Sequence, residues 1–191
     1  MAGFLRYTVV LDACVLYPAP LRDLLLSLAA AGMYGARWTD RIQEEWQRNL
    51  LKNRPELKDL VPRTAKLMNE AIEDCLIRGY EWLIESLVLP DPDDRHVLAA
   101  AIAGHADAIV TFNLKDFPSD IVDVHGIEIL HPDDFLMAQY GLDQIRVLGE
   151  VKAMRQRLRR PPRNAHELIA TVEAQGLPQF AQLLRQAEEL L

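Results

Sequence analysis

The sequence has few of the residues that build disulfide frameworks and zinc sites. Its 191 residues include two cysteines and five histidines. Cys14 and Cys75 belong to no CxxC pair, which argues against a disulfide framework and a cysteine-based zinc site. The histidines show no i, i+4 pair of the kind that binds zinc on a helix.

The chain also lacks an apolar run of the ~20 residues that a helix needs to cross a bilayer. Its first ten residues do not have the pattern of a signal peptide. We therefore expect a cytoplasmic protein that does not associate with membranes.

An excess of positive charge is missing too, since the formal net charge is −7 at pH 7. Nucleic-acid-binding domains are often basic, so this charge counts against such a role. The acidic residues are concentrated in residues 1–140, whereas residues 151–166 contain Lys and Arg but no Asp or Glu. An acidic centre with basic residues elsewhere is compatible with a metal-dependent nuclease.

Hydrophobic patterning predicts an α/β fold with a mostly parallel sheet, because continuously apolar strands alternate with helices. The predicted strands are residues 4–11, 87–89, 108–112 and 126–130. The predicted helices are residues 21–31, 40–52, 63–84 and 94–104. Residues after Pro132 contain no strand candidate. We therefore predict a domain over residues 1–138 and a C-terminal helical extension over residues 139–191.

Polar residues follow two of these strands. Asp12 comes directly after Val9-Val10-Leu11, and Asn113 and Asp116 follow the strand at 108–112. The carboxyl ends of parallel strands meet at the sheet edge where ligands bind. Each residue also has a purely structural interpretation, since Asp12 could cap a helix and Asn113 could form a turn.

Two helices carry further acids. Asp91 and Asp93 precede the helix at 94–104, and Asp94 begins it. A helix N-terminus favours acids, but three so close together repel one another, and a bound cation would relieve the repulsion. On the helix at 40–52, Glu45 shares a stripe with Ile42, although its neighbour Glu44 is an alternative. Such carboxylates suit Mg²⁺, which takes oxygen ligands and can activate water for attack on a phosphodiester.

Four sequence blocks resemble, in order, the successive motifs of the PIN-domain family over residues 5–138. They are VVLDACVLYPAPLRDLLL, RWTDRIQEEW, DPDDRHVLAAAIAGHADAIVTFNLKDF and GIEILHPDDF. They are most similar to the branch that contains VapC-type toxins of bacterial toxin–antitoxin pairs. The resemblance implies a three-layer α/β/α fold and RNA cleavage that depends on Mg²⁺ or Mn²⁺.

The resemblance also implies an active site. The implied catalytic residues are Asp12, Glu45, Asp94 and Asp116. The implied metal ligands are Asp12, Asp94, Asn113 and Asp116. Many family members have Thr-Gly-Asp where this chain has Thr111-Phe112-Asn113, so either Asn113 or Asp116 could fill the fourth ligand position. Cys14 stands where many members have Ser or Asn, and we assign it no role.

The expected partners are an RNA substrate and a cognate antitoxin, and exposed apolar helix faces make a homodimer an open alternative. Phosphate neutralisation dominates affinity for nucleic acids, although charge runs are often only solvated surface. The candidate contacts with RNA or antitoxin are Arg22, Lys115, Lys152, Arg155, Arg159 and Arg160.

Three other functions are compatible with parts of the sequence. One is a housekeeping RNA-processing nuclease of the same fold. Another is a catalytically inactive PIN-like module that binds RNA or protein, which Asn113 motivates because it brings no charge. A phosphatase of the haloacid-dehalogenase type fits less well, since its motif needs an Asp where Cys14 stands.

Overall fold

The computed structural model describes residues 6–159 and 161–191. Its sheet has four strands, which all pair in parallel in the order β2-β1-β3-β4. The strands are β1 (Thr8–Leu11), β2 (Gly35–Arg37), β3 (Ala108–Val110) and β4 (Glu128–Leu130).

Eleven α-helices lie within the described residues. Those up to β4 are α1 (Ala13–Leu16), α2 (Ala19–Ala30), α3 (Asp40–Asn53), α4 (Leu60–Ala71), α5 (Glu81–Ile84), α6 (Arg95–Ala103) and α7 (Ser119–Val122). Those after β4 are α8 (Pro132–Leu142), α9 (Gln144–Arg157), α10 (Ala165–Glu173) and α11 (Pro178–Gln186). The predicted α/β class with a parallel sheet and a C-terminal helical extension is confirmed.

The middle of the sheet determines where the site lies. Residues 9–11 of β1 and 108–110 of β3 are fully buried, as expected for apolar strands covered on both faces. Leu11 pairs with Val110, so Asp12 and Thr111 follow two adjacent strands side by side. The strand order reverses between β1 and β3, and such a switch point is where open α/β sheets bind ligands.

The chain forms two compact units. One consists of the described residues up to Tyr17 together with Tyr34–His131, and it contains the sheet. The other consists of Pro18–Met33 and Pro132–Leu191. Helix α2 therefore groups with the C-terminal helices, where Arg157 donates a hydrogen bond to Asp23 at 3.0 Å. This grouping differs from the predicted domains, which placed α2 in the first.

The predicted long helix at 63–84 is wrong, because the chain leaves the helical conformation after α4. Asp74 and Gly79 have positive φ angles of 54° and 70°, which a helix does not allow. The Cys75 carbonyl accepts a hydrogen bond from the Trp38 amide at 2.8 Å. Backbone pairing with the segment after β2 thus replaces helical hydrogen bonds.

Two strand expectations also need correction. Residues 87–89 form no strand among the described residues, although Leu87 and Leu89 are buried. Val88 between them is 77% exposed, so the apolar run does not mark a strand buried on both faces. The sequence analysis did not predict β2. The first strand begins at Thr8, so residues 6 and 7 of its predicted range are not part of it, and residues 4 and 5 lie outside the described residues.

In the part of the chain that the structure describes, no helix is long and apolar enough to cross a membrane.

Substitution of Asp133 tests the packing of the C-terminal helices. Its buried carboxylate accepts hydrogen bonds from the amides of Gln179 and Phe180, both at 2.9 Å, and so caps α11. We expect Asp133→Ala to lower the free energy of unfolding by about 2 kcal/mol, measured by urea denaturation. The control Asp134→Ala removes an exposed neighbour and should cost less than about 0.5 kcal/mol. Equal effects would contradict this account.

Candidate active site

A cleft of about 830 Å³ lies where β1 and β3 end. Asp12 and Asn113, which follow those strands, both line it. The acidic lining residues are Asp12, Glu44, Glu45, Asp93 and Asp94. The cleft thus brings together most of the acids that the sequence analysis selected.

Asp12 is held in a fixed orientation at the base of this cleft. Its side chain is 4% exposed. Oδ1 accepts a hydrogen bond from the Ala13 amide at 2.6 Å, and Oδ2 accepts one from the Thr111 hydroxyl at 2.7 Å. Asp12 is also the N-cap of α1. The capping and the cleft-lining interpretations of Asp12 therefore both hold.

Cys14 completes the environment of Asp12, a role that the sequence analysis did not assign. Its thiol donates a hydrogen bond to Asp12 Oδ2 at 3.1 Å, and its sulfur accepts one from the Phe112 amide at 3.3 Å. Burial and the nearby Asp12 carboxylate raise the pKa of the thiol far above its usual range. Cys14 therefore stays protonated and acts as a hydrogen-bond donor.

Asp94 is the residue on which the negative charges converge. Burial and, to a smaller extent, the carboxylates of Asp12, Asp91, Asp116 and Glu45 together raise the pKa of its carboxyl to about 7. Asp94 occupies the N-cap position of α6, yet its side chain accepts no hydrogen bond from that helix. Helix capping therefore does not explain this acid.

Glu45 is the more buried of the two candidate glutamates on α3. Its Oε1 lies 3.0 Å from His96 Nε2 and 3.3 Å from Arg41 Nε. Burial acts to raise the pKa of Glu45, but the hydrogen bonds and charges of His96 and Arg41 outweigh it, so the pKa lies below its usual range. Glu45 is therefore ionised at neutral pH.

Asn113 and Asp116 remain alternatives for one ligand position. Asn113 is exposed, lines the cleft, and donates its backbone amide to the Thr111 hydroxyl at 3.0 Å. Asp116 is half-buried and is one of the charges that raise the pKa of Asp94. Asn113 is better exposed to the cleft, whereas Asp116 brings a negative charge.

The oxygen atoms that line the cleft are of the kind that a hard divalent cation prefers as ligands. They are carboxylate and amide oxygens, and added positive charge would relieve the repulsion that raises the pKa of Asp94. Among the described residues, no group of three or more His, Cys, Asp or Glu side chains is arranged to hold a metal ion on its own. Mg²⁺ usually keeps several waters and binds through one or two carboxylates plus substrate phosphates. The residues therefore fit Mg²⁺ as an open site.

The predicted contact residues differ in exposure. Lys115, Lys152 and Arg159 are exposed. Arg155 is half-buried and donates to the Arg163 carbonyl at 3.2 Å. Arg22 is buried in α2, and this burial lowers the pKa of its guanidinium. Arg160 lies outside the described residues. Their contact with RNA or an antitoxin stays a prediction.

The basic side of the cleft was not predicted from the sequence. Arg41 and Arg48 both line it and are exposed. They stand with Glu45 on one stripe of α3, at positions i, i+4 and i+7. Arg48 forms no ion pair with any residue that the structure describes. The i, i+4, i+7 spacing of Arg41, Glu45 and Arg48 is visible in the sequence and could have identified these arginines.

Comparisons with known proteins relate both parts of the chain to described families. A family model described as "PIN domain" matches residues 8–115, and one described as "VapC50 C-terminal domain" matches residues 132–186. A curated Mycobacterium tuberculosis protein named "Putative ribonuclease VapC50" is 43% identical over 88 residues, which cover 46% of this chain and 52% of that protein. The match thus spans about half the length of this relative. No solved structure matches the chain.

The stability of an Asp94→Asn variant tests the raised pKa of Asp94. Protonated Asp94 stabilises the fold at low pH, and this contribution is lost as the pH rises through about 7. We expect the variant, in EDTA, to be more stable than the wild type at pH 8. After allowance for solvent screening the gain is about 1 kcal/mol, or roughly 2–4 °C in Tm. It should shrink as the pH falls below about 7 and vanish at about pH 4, the ordinary pKa of an unfolded Asp carboxyl.

Asp93→Asn is the matched control, because Asp93 is exposed and is not among the four residues whose charges raise the pKa of Asp94. Thermal unfolding of both variants at the two pH values gives the comparison. A gain that is independent of pH, or is equal in the control, would show that the pKa of Asp94 is not raised in the folded protein.

Proposed function

The chain belongs to the PIN-domain family, whose model matches more than half of its residues, and on this premise we propose that it is a metal-dependent endoribonuclease. The observation that carries the proposal is the convergence of four carboxylates on Asp94, whose pKa burial and these charges raise to about 7. A cleft that concentrates negative charge at a strand switch point is suited to a divalent cation and a phosphodiester.

The oxygens of Asp12, Asp94, Asp116 and Asn113 would hold one or two Mg²⁺ or Mn²⁺ ions. When bound, such a cation makes water more acidic and neutralises charge that develops on the phosphodiester. The cleft contains no Ser-His-Asp or Cys-His arrangement among its described lining residues, and the thiol of Cys14 is kept protonated. We therefore propose direct hydrolysis without a covalent intermediate.

The residues of the chain supply orientation and charge. Thr111 and Cys14 hold the Asp12 carboxylate in place, so it needs little reorganisation before the reaction. In the absence of a cation Asp94 is partly protonated near neutral pH, because burial and neighbouring carboxylates raise its pKa to about 7, and a bound cation would favour its ionised form. Glu45 remains ionised and adds negative charge to the cleft wall.

Arg41 and Arg48 are placed to neutralise phosphates of an RNA strand beside the reacting bond. Both line the same cleft as Asp12 and Asp94. Arg48 has no ion pair within the described residues, so binding a phosphate would break no existing pair. An overall acidic chain can therefore still bind RNA, because the positive charges that neutralise phosphates lie inside the cleft.

We also propose that the enzyme is the toxin of a type II toxin–antitoxin pair. The motif blocks that resemble VapC-type toxins support this role, as does the similarity to the mycobacterial protein named as a VapC50 ribonuclease. The cognate antitoxin and a homodimer stay predictions. Expression of a toxin should arrest growth, and the product of an adjacent small gene should relieve that arrest. Both results together would support a toxin over a housekeeping nuclease.

Cleavage assays test the nuclease proposal. A panel of structured RNAs is incubated with the purified protein in Mg²⁺, in Mn²⁺ and in EDTA, beside Asp94→Asn and the exposed control Asp120→Asn. We expect metal-dependent cleavage that Asp94→Asn lowers at least ~100-fold and the control leaves unchanged, since Asp94 would interact directly with the cation. Mn²⁺ binding without any cleavage would instead favour an inactive binding module.

Substitution of Arg48 tests the basic side of the cleft. Arg48→Gln should weaken binding of single-stranded RNA and raise KM with kcat little changed. The slope of log affinity against log salt should fall by about 0.7, the value for one phosphate contact on a single strand. Arg63→Gln, on the exposed side of α4, is the control. If both variants give the same slope as the wild type, Arg48 does not contact the backbone.

A further inference from the structure

We infer that His96 is a positioning residue that fixes the Glu45 carboxylate at the wall of the cleft. The inference rests on the proposed nuclease function and extends it to a residue outside the carboxylate set. This histidine was not among the site residues predicted from the sequence.

His96 is an isolated polar group in an apolar setting. It is 1% exposed on α6, where the next five residues, 97–101, are fully buried and apolar. Its Nε2 lies 3.0 Å from Glu45 Oε1. A carboxylate that is ionised can only accept hydrogen bonds, so Nε2 must carry the hydrogen and donate it.

The second ring nitrogen makes a purely structural role less satisfactory. His96 Nδ1 is buried and has no hydrogen-bond partner among the described residues. Buried polar atoms are usually paired, and an unpaired one costs free energy. An apolar side chain would fill the same space without that cost, so the contact with Glu45 is the feature that distinguishes histidine at this position.

The geometry at Glu45 indicates what the contact achieves. His96 and Arg41 both reach the same oxygen, Oε1. No hydrogen bond to Oε2 is found within the described part of the chain. Holding one oxygen from the protein interior restricts the side-chain rotamers and leaves the other oxygen available to the cleft that Glu45 lines.

The two contacts are unequal. Arg41 is an i, i+4 neighbour on the same helix, and its side chain is 42% exposed. Exposed pairs of this type contribute little and hold geometry weakly. His96 reaches Glu45 from another helix and is itself packed rigidly, so it is the stronger constraint. Glu45 is not one of the proposed ligands, but its negative charge at the cleft wall would contribute to cation affinity. Residues that orient the outer groups of a metal site typically affect metal affinity or activity about 10–100-fold.

Two substitutions separate this role from simple packing. The side-chain amide of Gln places an N–H near the position of Nε2, whereas the shorter Asn places it near that of Nδ1. We expect His96→Asn to lower kcat about 10–100-fold with the KM for RNA little changed. His96→Gln should recover most of the kcat, while the two variants have similar Tm values.

A double-mutant cycle adds a test of the connection. Because His96 acts through Glu45, His96→Asn should lower kcat no further in a Glu45→Gln background. Calorimetric titration of Mn²⁺ gives a readout besides activity. We expect about tenfold weaker Mn²⁺ binding for His96→Asn than for the wild type, and near-normal binding for His96→Gln.

The possible failures are distinguishable. If the wild type cleaves RNA and His96→Asn cleaves equally well, the inference is wrong and the nuclease proposal stands. If Gln and Asn lower kcat and Tm together, His96 is only a packing residue. If the wild type cleaves nothing, the nuclease proposal fails, and equal Mn²⁺ affinities of the two variants would also overturn the role of His96.

Discussion

Mutual repulsion among carboxylates at one edge of the sheet is the constraint on which the candidate site depends. Burial and four neighbouring carboxylates raise the pKa of Asp94 to about 7. Without a cation, such a cluster lowers stability at neutral pH, because each charge disfavours ionisation of the others. A divalent cation and an RNA phosphate would relieve this repulsion. We therefore regard the unfavourable charge cluster as the property that adapts the cleft to its proposed ligands.

The parallel sheet brings the charges together without long loops. The pairing of Leu11 with Val110 fixes the register of β1 and β3. This register places Asp12 beside Thr111, whose hydroxyl then orients the carboxylate at 2.7 Å. Buried apolar strands supply the rigidity that holds these polar groups at the edge. The acidic cleft is thus a consequence of strand pairing as much as of the acids themselves.

Elements that follow from local hydrophobic periodicity were predicted from the sequence. Features that depend on contacts between distant parts of the chain were not. The buried strands β1 and β3 and the acids that follow them were found, because apolar runs and strand ends are local features. The break of the predicted helix after α4 was missed, since it comes from backbone pairing with Trp38. The contact between His96 and Glu45 joins two helices that are about fifty residues apart, and spacing along one helix cannot show it.

Titration of Asp94 by NMR tests the central claim most directly. The carboxyl carbon signal of Asp94, assigned by comparison with Asp94→Asn, is followed against pH in EDTA and then in Mg²⁺. The account predicts a pKa of about 7 in EDTA and a marked fall when Mg²⁺ is present. A pKa near the ordinary value of about 4 in EDTA, unchanged by Mg²⁺, would contradict both the charge convergence and the cation site.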